Sequence, residues 1–157
     1  MPATDAQGLT RRAVATALNL LARRDHTSRE LADKLAARGF DGDTCRAAVA
    51  RCRELGYLDD ARTAEIMTGA LRRRGLGVQG IRTRLREKGI DDETIVALTA
   101  ADADPDQALA AARAVYERRR LHFQRESDPL RRRAKIFRFL RSRGFPAETV
   151  RRLLTED

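Results

Sequence analysis

The chain contains no tryptophan and only 4% aromatic residues, so its core has to be built from aliphatic side chains. β-Branched aliphatic residues are few as well: Leu occurs 18 times against 11 for Val plus Ile. That shortage argues against a sheet, because β-branched side chains favour strands whereas Ala and Leu favour helices. No apolar run is long enough to span a bilayer, and the polar, short N-terminus carries no secretory signal, so a soluble, cytoplasmic protein is expected. Cysteine is reduced to Cys45 and Cys52, seven residues apart in a helical pattern. Two turns separate their Cα atoms by about 10 Å, beyond the ~7 Å reach of a disulfide. Both share an apolar stripe with Val49, which predicts buried free thiols.

Signatures of catalysis are missing as well. There is no P-loop and no serine in a nucleophile motif. His26 and His122 stand alone, without a Cys or second His at ligand spacing, so no zinc site is expected. Residues 75–80 (GLGVQG) fit the pattern G-x-G-x-x-G, but a dinucleotide site needs a buried strand ahead of it. What precedes it here is Ala70 to Arg74, an arginine-ended helix, so these glycines read as a linker between helices. The carboxylates of Asp59, Asp60 and Glu65, and of Asp91, Asp92 and Glu93, could be taken for metal ligands. Each group lies just ahead of a helix, where Asp satisfies free backbone N–H groups, and capping is the better account. The expectation is a protein that is not an enzyme and needs no cofactor or metal.

What is present is charge, mostly of one kind. The formal net charge is +9, and 29 of the 32 basic residues are Arg. The planar guanidinium fork suits phosphate and carboxylate alike, so the charge points to a polyanionic or acidic partner without choosing. With 42% apolar residues over 157 positions, the chain can still bury roughly two-thirds of its unfolded surface in one domain.

One phrase occurs three times: LAARGFDGDTCRAAV at 35–49, LREKGIDDETIVALT at 85–99 and LRSRGFPAETVRRLL at 140–154. Each copy runs Leu, two variable residues, Arg or Lys, Gly, then Phe or Ile, with a Thr four residues later (Thr44, Thr94, Thr149). The physical reading is a helix end. A basic residue suits the carbonyl end of the helix dipole, and Gly39, Gly89 or Gly144 takes the left-handed position after it. Phe40, Ile90 or Phe145 then folds back on the apolar face. A new helix opens with Asp41 or Asp91 as N-cap, or with Pro146. Apolar residues continue at helical spacing through Cys45, Val49 and Cys52, through Ile95 and Leu98, and through Val150, Leu153 and Leu154.

A further helix precedes each phrase. The first runs from about Arg12 to Arg24 with Val14, Leu18 and Leu21 on one face, followed by a capping box from Thr27 to Glu30. The second spans about Asp60 to Arg74, with Ile66, Met67, Ala70 and Leu71 on one side. The third spans about Asp106 to Phe123, with the small-residue face Ala108, Ala112 and Val115. The expected architecture is all-α: three tandem three-helix repeats, about nine helices, stacked into an elongated, curved body. Its parts are a flexible N-terminus over 1–11 and repeats over 12–58, 59–103 and 104–157. Hinges are expected at Ala103 to Pro105 and Gly56 to Asp59, and a loop from Gln124 to Pro129.

These segments resemble the RecX family. The likeness runs from about residue 13 to residue 154, through ALNLLARRDHTSRELADKL, RELGYLDDARTAE, LREKGI and RFLRSRGF. Its most specific pieces are Ser28 to Leu31, Leu58 to Asp60, Lys88 to Ile90 and Arg143 to Phe145. Thr63 departs from the pattern, standing where the family usually carries Phe. The resemblance implies three tandem three-helix repeats that bind the RecA recombinase filament; a monomer is expected. It implies inhibition of ATP hydrolysis, strand exchange and filament growth, hence negative regulation of recombination and DNA repair. Weaker direct binding to single- or double-stranded DNA is a further implication. A helix-turn-helix-like DNA-binding protein, with Ser28 to Tyr57 as its module, is the alternative. That segment lacks an Asn or Gln to read bases.

The basic charge is uneven. Residues 105–157 hold 14 Arg plus Lys against 7 Asp plus Glu, whereas the remainder holds 18 against 16. From Leu130 to Arg143, Ile136, Phe137 and Leu140 share one helical face and Arg131, Lys135 and Arg138 the opposite one. With the run Arg118, Arg119 and Arg120, this stripe is the expected filament- or nucleic-acid-binding surface. Arg82 and Arg86, one turn apart in the middle copy, are secondary candidates, and solvated helix faces explain them equally well.

Overall fold

A computed structural model describes residues 3–156, and among them there are eleven helices and no strand. They are α1 (Ala3–Leu21), α2 (Ser28–Ala36), α3 (Gly42–Glu54), α4 (Asp60–Arg73), α5 (Val78–Glu87), α6 (Asp92–Leu98), α7 (Ala100–Ala103), α8 (Pro105–Glu117), α9 (Arg120–Gln124), α10 (Pro129–Ser142) and α11 (Ala147–Glu156). The fold is all-helical among the described residues, as the excess of Ala and Leu over Val and Ile predicts.

The chain divides into two compact units, one of Met1–Ile66 with Glu87–Ile90, the other of Met67–Arg86 with Asp91–Asp157. In the first, α1, α2 and α3 pack on one another around Ala13, Ala17, Leu31, Leu35, Ala48 and Cys52, all fully buried. In the second, α8, α10 and α11 pack around Ala112, Leu140, Phe145, Val150 and Leu153. Cys45 and Cys52 are both buried free thiols, and burial pushes both above the ordinary thiol range.

The recurring phrase has one local explanation in all its copies. Gly39, Gly89 and Gly144 have φ of +89°, +79° and +87°, the left-handed region that favours glycine. At the first and third copies the amide of Phe40 or Phe145 returns to the carbonyl of Leu35 or Leu140, closing the helix end. The recurrent Thr completes the next helix start. Asp41 accepts from the Thr44 amide at 2.9 Å and from its hydroxyl at 2.7 Å; Asp91 accepts from the Thr94 amide at 2.8 Å and its hydroxyl at 2.7 Å. These bonds hold both carboxyls below the ordinary aspartate range.

Several expectations are corrected. Helix α1 begins at Ala3, so residues 3–11 are helical where a loose tail was expected; Met1 and Pro2 lie outside the described residues. Only Gly8 interrupts the helix-compatible residues there, and Leu9 and Thr10 are already half-buried. The buried ridge of α1 is Ala13 and Ala17, whereas Val14, Leu18 and Leu21 are partly exposed at its sides. Small side chains let α1 lie close against α3, so the larger ones flank the contact. In α4, Ile66 is 49% exposed, and Thr63, Ala64, Thr68 and Leu71 are the buried residues. Thr63 therefore occupies a buried position with a small polar side chain. The third long helix is broken: α8 stops at Glu117 and α9 restarts at Arg120, with Arg119 at φ −118° and ψ 8° between them. Arg118 to Arg120 thus gather at the carbonyl end of α8, where the helix dipole favours cations. The short α7 follows α6, and Asp104 then caps α8, accepting from the Asp106 and Gln107 amides.

Candidate interaction surface

Helix α10 carries the densest run of positive charge. Asp128 caps it, accepting from the Leu130 amide at 2.9 Å, and Pro129 opens its first turn. Ile136 and Leu140 face the core, 4% and 0% exposed, while Arg131, Lys135 and Arg138 are exposed on the other side. Helical rotation brings these three together as the sequence predicts. Their surroundings differ, however. Arg131 lies 3.5 Å from Asp128, and Lys135 pairs with Glu126, whose carboxyl is held below its usual range chiefly by that hydrogen bond. Arg138 makes no ion pair or side-chain hydrogen bond with the described residues.

The Arg118 to Arg120 run fans out. Arg118 donates to the Ala114 carbonyl at 3.3 Å, Arg120 approaches Glu117 at 3.7 Å, and Arg119 lies over the Phe139 ring at 5.0 Å. Arg143 lies 5.3 Å from the centroid of the same ring and donates to the Arg74 carbonyl at 2.6 Å. A small cavity of about 100 Å³ is lined by Arg74, Arg118, Arg119, Arg143 and Phe139. Two guanidinium groups, those of Arg119 and Arg143, thus lie over one aromatic ring, and no carboxylate lines the cavity among the described residues. Cation–π contact orients both without neutralising their charge.

The middle-copy candidates are placed differently. Arg82 donates through Nε to Thr99 Oγ1 at 2.8 Å, and Arg86 through Nε to Asp92 Oδ1 at 2.9 Å. Both are tied to α6 or its cap and are not brought together with the α10 stripe by any contact. Arg74, Arg132, Arg133 and Arg143 were not singled out by sequence. Arg131 to Arg133 looks like one block in the chain, yet helical rotation sends Arg131 outward while Arg132 and Arg133 line a second cavity with Arg120. That signal was available in the helical wheel; the partners of each guanidinium were not.

Comparison with known proteins matches three successive stretches of the chain. Residues 13–52 match the family description "RecX, first three-helix domain", residues 59–97 "RecX, second three-helix domain", and residues 106–154 "RecX, third three-helix domain". The chain belongs to the RecX family. Among curated relatives, "Regulatory protein RecX" of Halorhodospira halophila is 43% identical over 136 residues, covering 86% of this chain and 81% of its own. That of Stenotrophomonas maltophilia is 36% identical over 144 residues, covering 92% and 86%. Two solved structures share the fold. "Crystal structure of regulatory protein RecX" has a TM-score of 0.82 at 18% identity, covering 98% of this chain and 74% of its own. "Crystal structure of RecX from Lactobacillus salivarius" has a TM-score of 0.79 at 19% identity, covering 96% and 97%. RecX relatives thus bear the name of a regulatory protein. Among the described residues no helix is long and apolar enough to cross a membrane.

Proposed function

We propose that this RecX-family chain is a cytoplasmic negative regulator of homologous recombination that binds the RecA nucleoprotein filament. It restrains ATP hydrolysis, strand exchange and filament growth. Family membership over nearly the whole chain carries the reading, and the concentration of guanidinium groups on the third copy supports a polyanionic or acidic target. The working surface comprises Arg131, Lys135 and Arg138 with Arg118, Arg119 and Arg120. The protein acts by binding, as a monomer.

The test is RecA ATP hydrolysis on single-stranded DNA with this protein added at substoichiometric ratios. Inhibition well below one copy per RecA is the expected result. A second reading, simple competition for DNA phosphates, is favoured by the uncompensated arginines around Phe139. Inhibition only near saturation of the DNA would decide for that reading against filament binding.

A further inference from the structure

A cavity of about 370 Å³ in the third copy is lined by Arg120, Gln124, Arg132, Arg133, Ile136 and Leu154 among others. Its volume falls in the roughly 300–1,000 Å³ range of small-ligand sites. No Asp or Glu lines it among the described residues, in a protein whose other arginines repeatedly meet carboxylates. Two of its guanidinium groups are held by backbone carbonyls. Arg133 donates through Nη1 to the Leu154 carbonyl at 2.6 Å, and Arg132 through Nη1 to the Glu126 carbonyl at 3.4 Å. A carbonyl fixes a guanidinium without cancelling its charge, and each guanidinium has five donors, most of them left over here. Arg120 is only loosely paired, 3.7 Å from Glu117.

We infer that this cavity binds a phosphate monoester carrying an apolar or planar body, of the class of a nucleoside 5′-phosphate. A monoester presents nearly two negative charges and three strong acceptor oxygens, matching three arginines that a single carboxylate would leave under-neutralised. Ile136 and Leu154 give the attached group an apolar wall. Such a phosphate reaches the site either on a free nucleotide or at the 5′ end of a DNA strand. The inference does not depend on RecA, and its test uses the isolated chain.

Titration calorimetry would use thymidine 5′-monophosphate, thymidine, inorganic phosphate, and a short oligothymidylate with a 5′-phosphate or a 5′-hydroxyl. Tighter binding of the monophosphate than of thymidine or phosphate alone, by about tenfold or more, is expected. So is a loss of about fivefold or more in each of Arg120→Gln and Arg132→Gln, while Arg62→Gln, exposed on α4 and outside the cavity lining, stays near wild type. Neither tested arginine closes the end of α11, so the result is separable from any structural role of Arg133. Preference for the 5′-phosphorylated oligonucleotide over the mononucleotide would identify a strand end as the source; the reverse would identify a free nucleotide. Equal weakening by Arg62→Gln, indifference to the phosphate, or equal binding of inorganic phosphate would overturn the inference.

Discussion

His26 is 3% exposed, and its Nδ1 finds no hydrogen-bond partner, with the nearest carboxylate oxygen, Glu30 Oε2, 4.0 Å away. Burial, reinforced by the charge of Arg24, lowers its pKa below the ordinary 6.5 despite the opposing pull of Glu30. An unfolded chain therefore takes up this proton first as pH falls. The stability that neutral His26 contributes is complete above about pH 6.5 and is lost progressively below it. Urea unfolding between about pH 7.5 and pH 5 should show stability declining with acidity, and His26→Gln should flatten that decline. The neighbouring Thr27 joins two jobs. It caps α2, accepting from the Glu30 amide at 3.1 Å, and its hydroxyl donates to the Lys88 carbonyl at 2.7 Å. Lys88 in turn reaches Glu30 at 2.5 Å. Thr27→Ala should cost about 2 kcal/mol, at the upper end for a lost cap, while Thr27→Ser restores most of it. Equal unfolding midpoints for wild type and the alanine variant would contradict this. The capping box was legible in the sequence from Thr27 and Glu30 alone. The bond to Lys88, 61 residues away, was not, because no local pattern encodes a long-range partner.

Among the helices, the clearest long-range device is where the carbonyl end of α10 meets the amide end of α5. The Gly77 amide donates to the Arg143 carbonyl at 2.8 Å, and the Gln79 amide to the Gly144 carbonyl at 3.0 Å. Free donors of one helix thus satisfy free acceptors of another, with dipoles aligned. The contact requires missing side chains: a Cβ on Gly77 would lie 2.6 Å from the Phe145 nitrogen, and one on Gly80 2.5 Å from the Arg143 carbonyl oxygen. Of the GLGVQG segment, residues 75–77 link α4 to α5, while Val78 to Gly80 already form the first turn of α5 rather than a linker, and its glycines also form a seam with the third copy. Gly39 and Gly144 are equivalent in the repeated phrase and share a left-handed φ, yet nothing lies within 4 Å of a Cβ at 39, whereas one at 144 overlaps the Gly80 backbone. Gly39→Ala should therefore cost only about 1–2 kcal/mol of backbone strain. Gly144→Ala should cost clearly more, because it adds backbone displacement to that strain. Chemical unfolding of the two variants side by side checks the difference, and equal losses would refute the seam.

Taken over the whole molecule, charge is the dominant surface property. The third copy holds twice as many basic as acidic residues, 14 against 7. Much of the positive charge elsewhere is locally compensated, as in Arg51 with Glu54, Arg72 with Asp102 and Arg86 with Asp92. On the third copy Arg138 and the arginines around Phe139 are not. Reversing Arg131, Lys135 and Arg138 to Glu should leave helical content unchanged and weaken RecA inhibition by about tenfold at low salt, less at high salt. Undiminished inhibition by the folded triple variant would move the binding surface elsewhere.

From its sequence this protein was committed to helices, to a thrice-used helix-end phrase and to a basic third copy. Those properties follow from composition, periodicity and glycine stereochemistry, which act over a few residues. Tertiary structure alone decided which ridge of α1 is buried, which arginines are neutralised, and which of three equivalent glycines tolerates a side chain. Each of those depends on what another part of the chain brings within a few ångströms, and identical local phrases meet different neighbours.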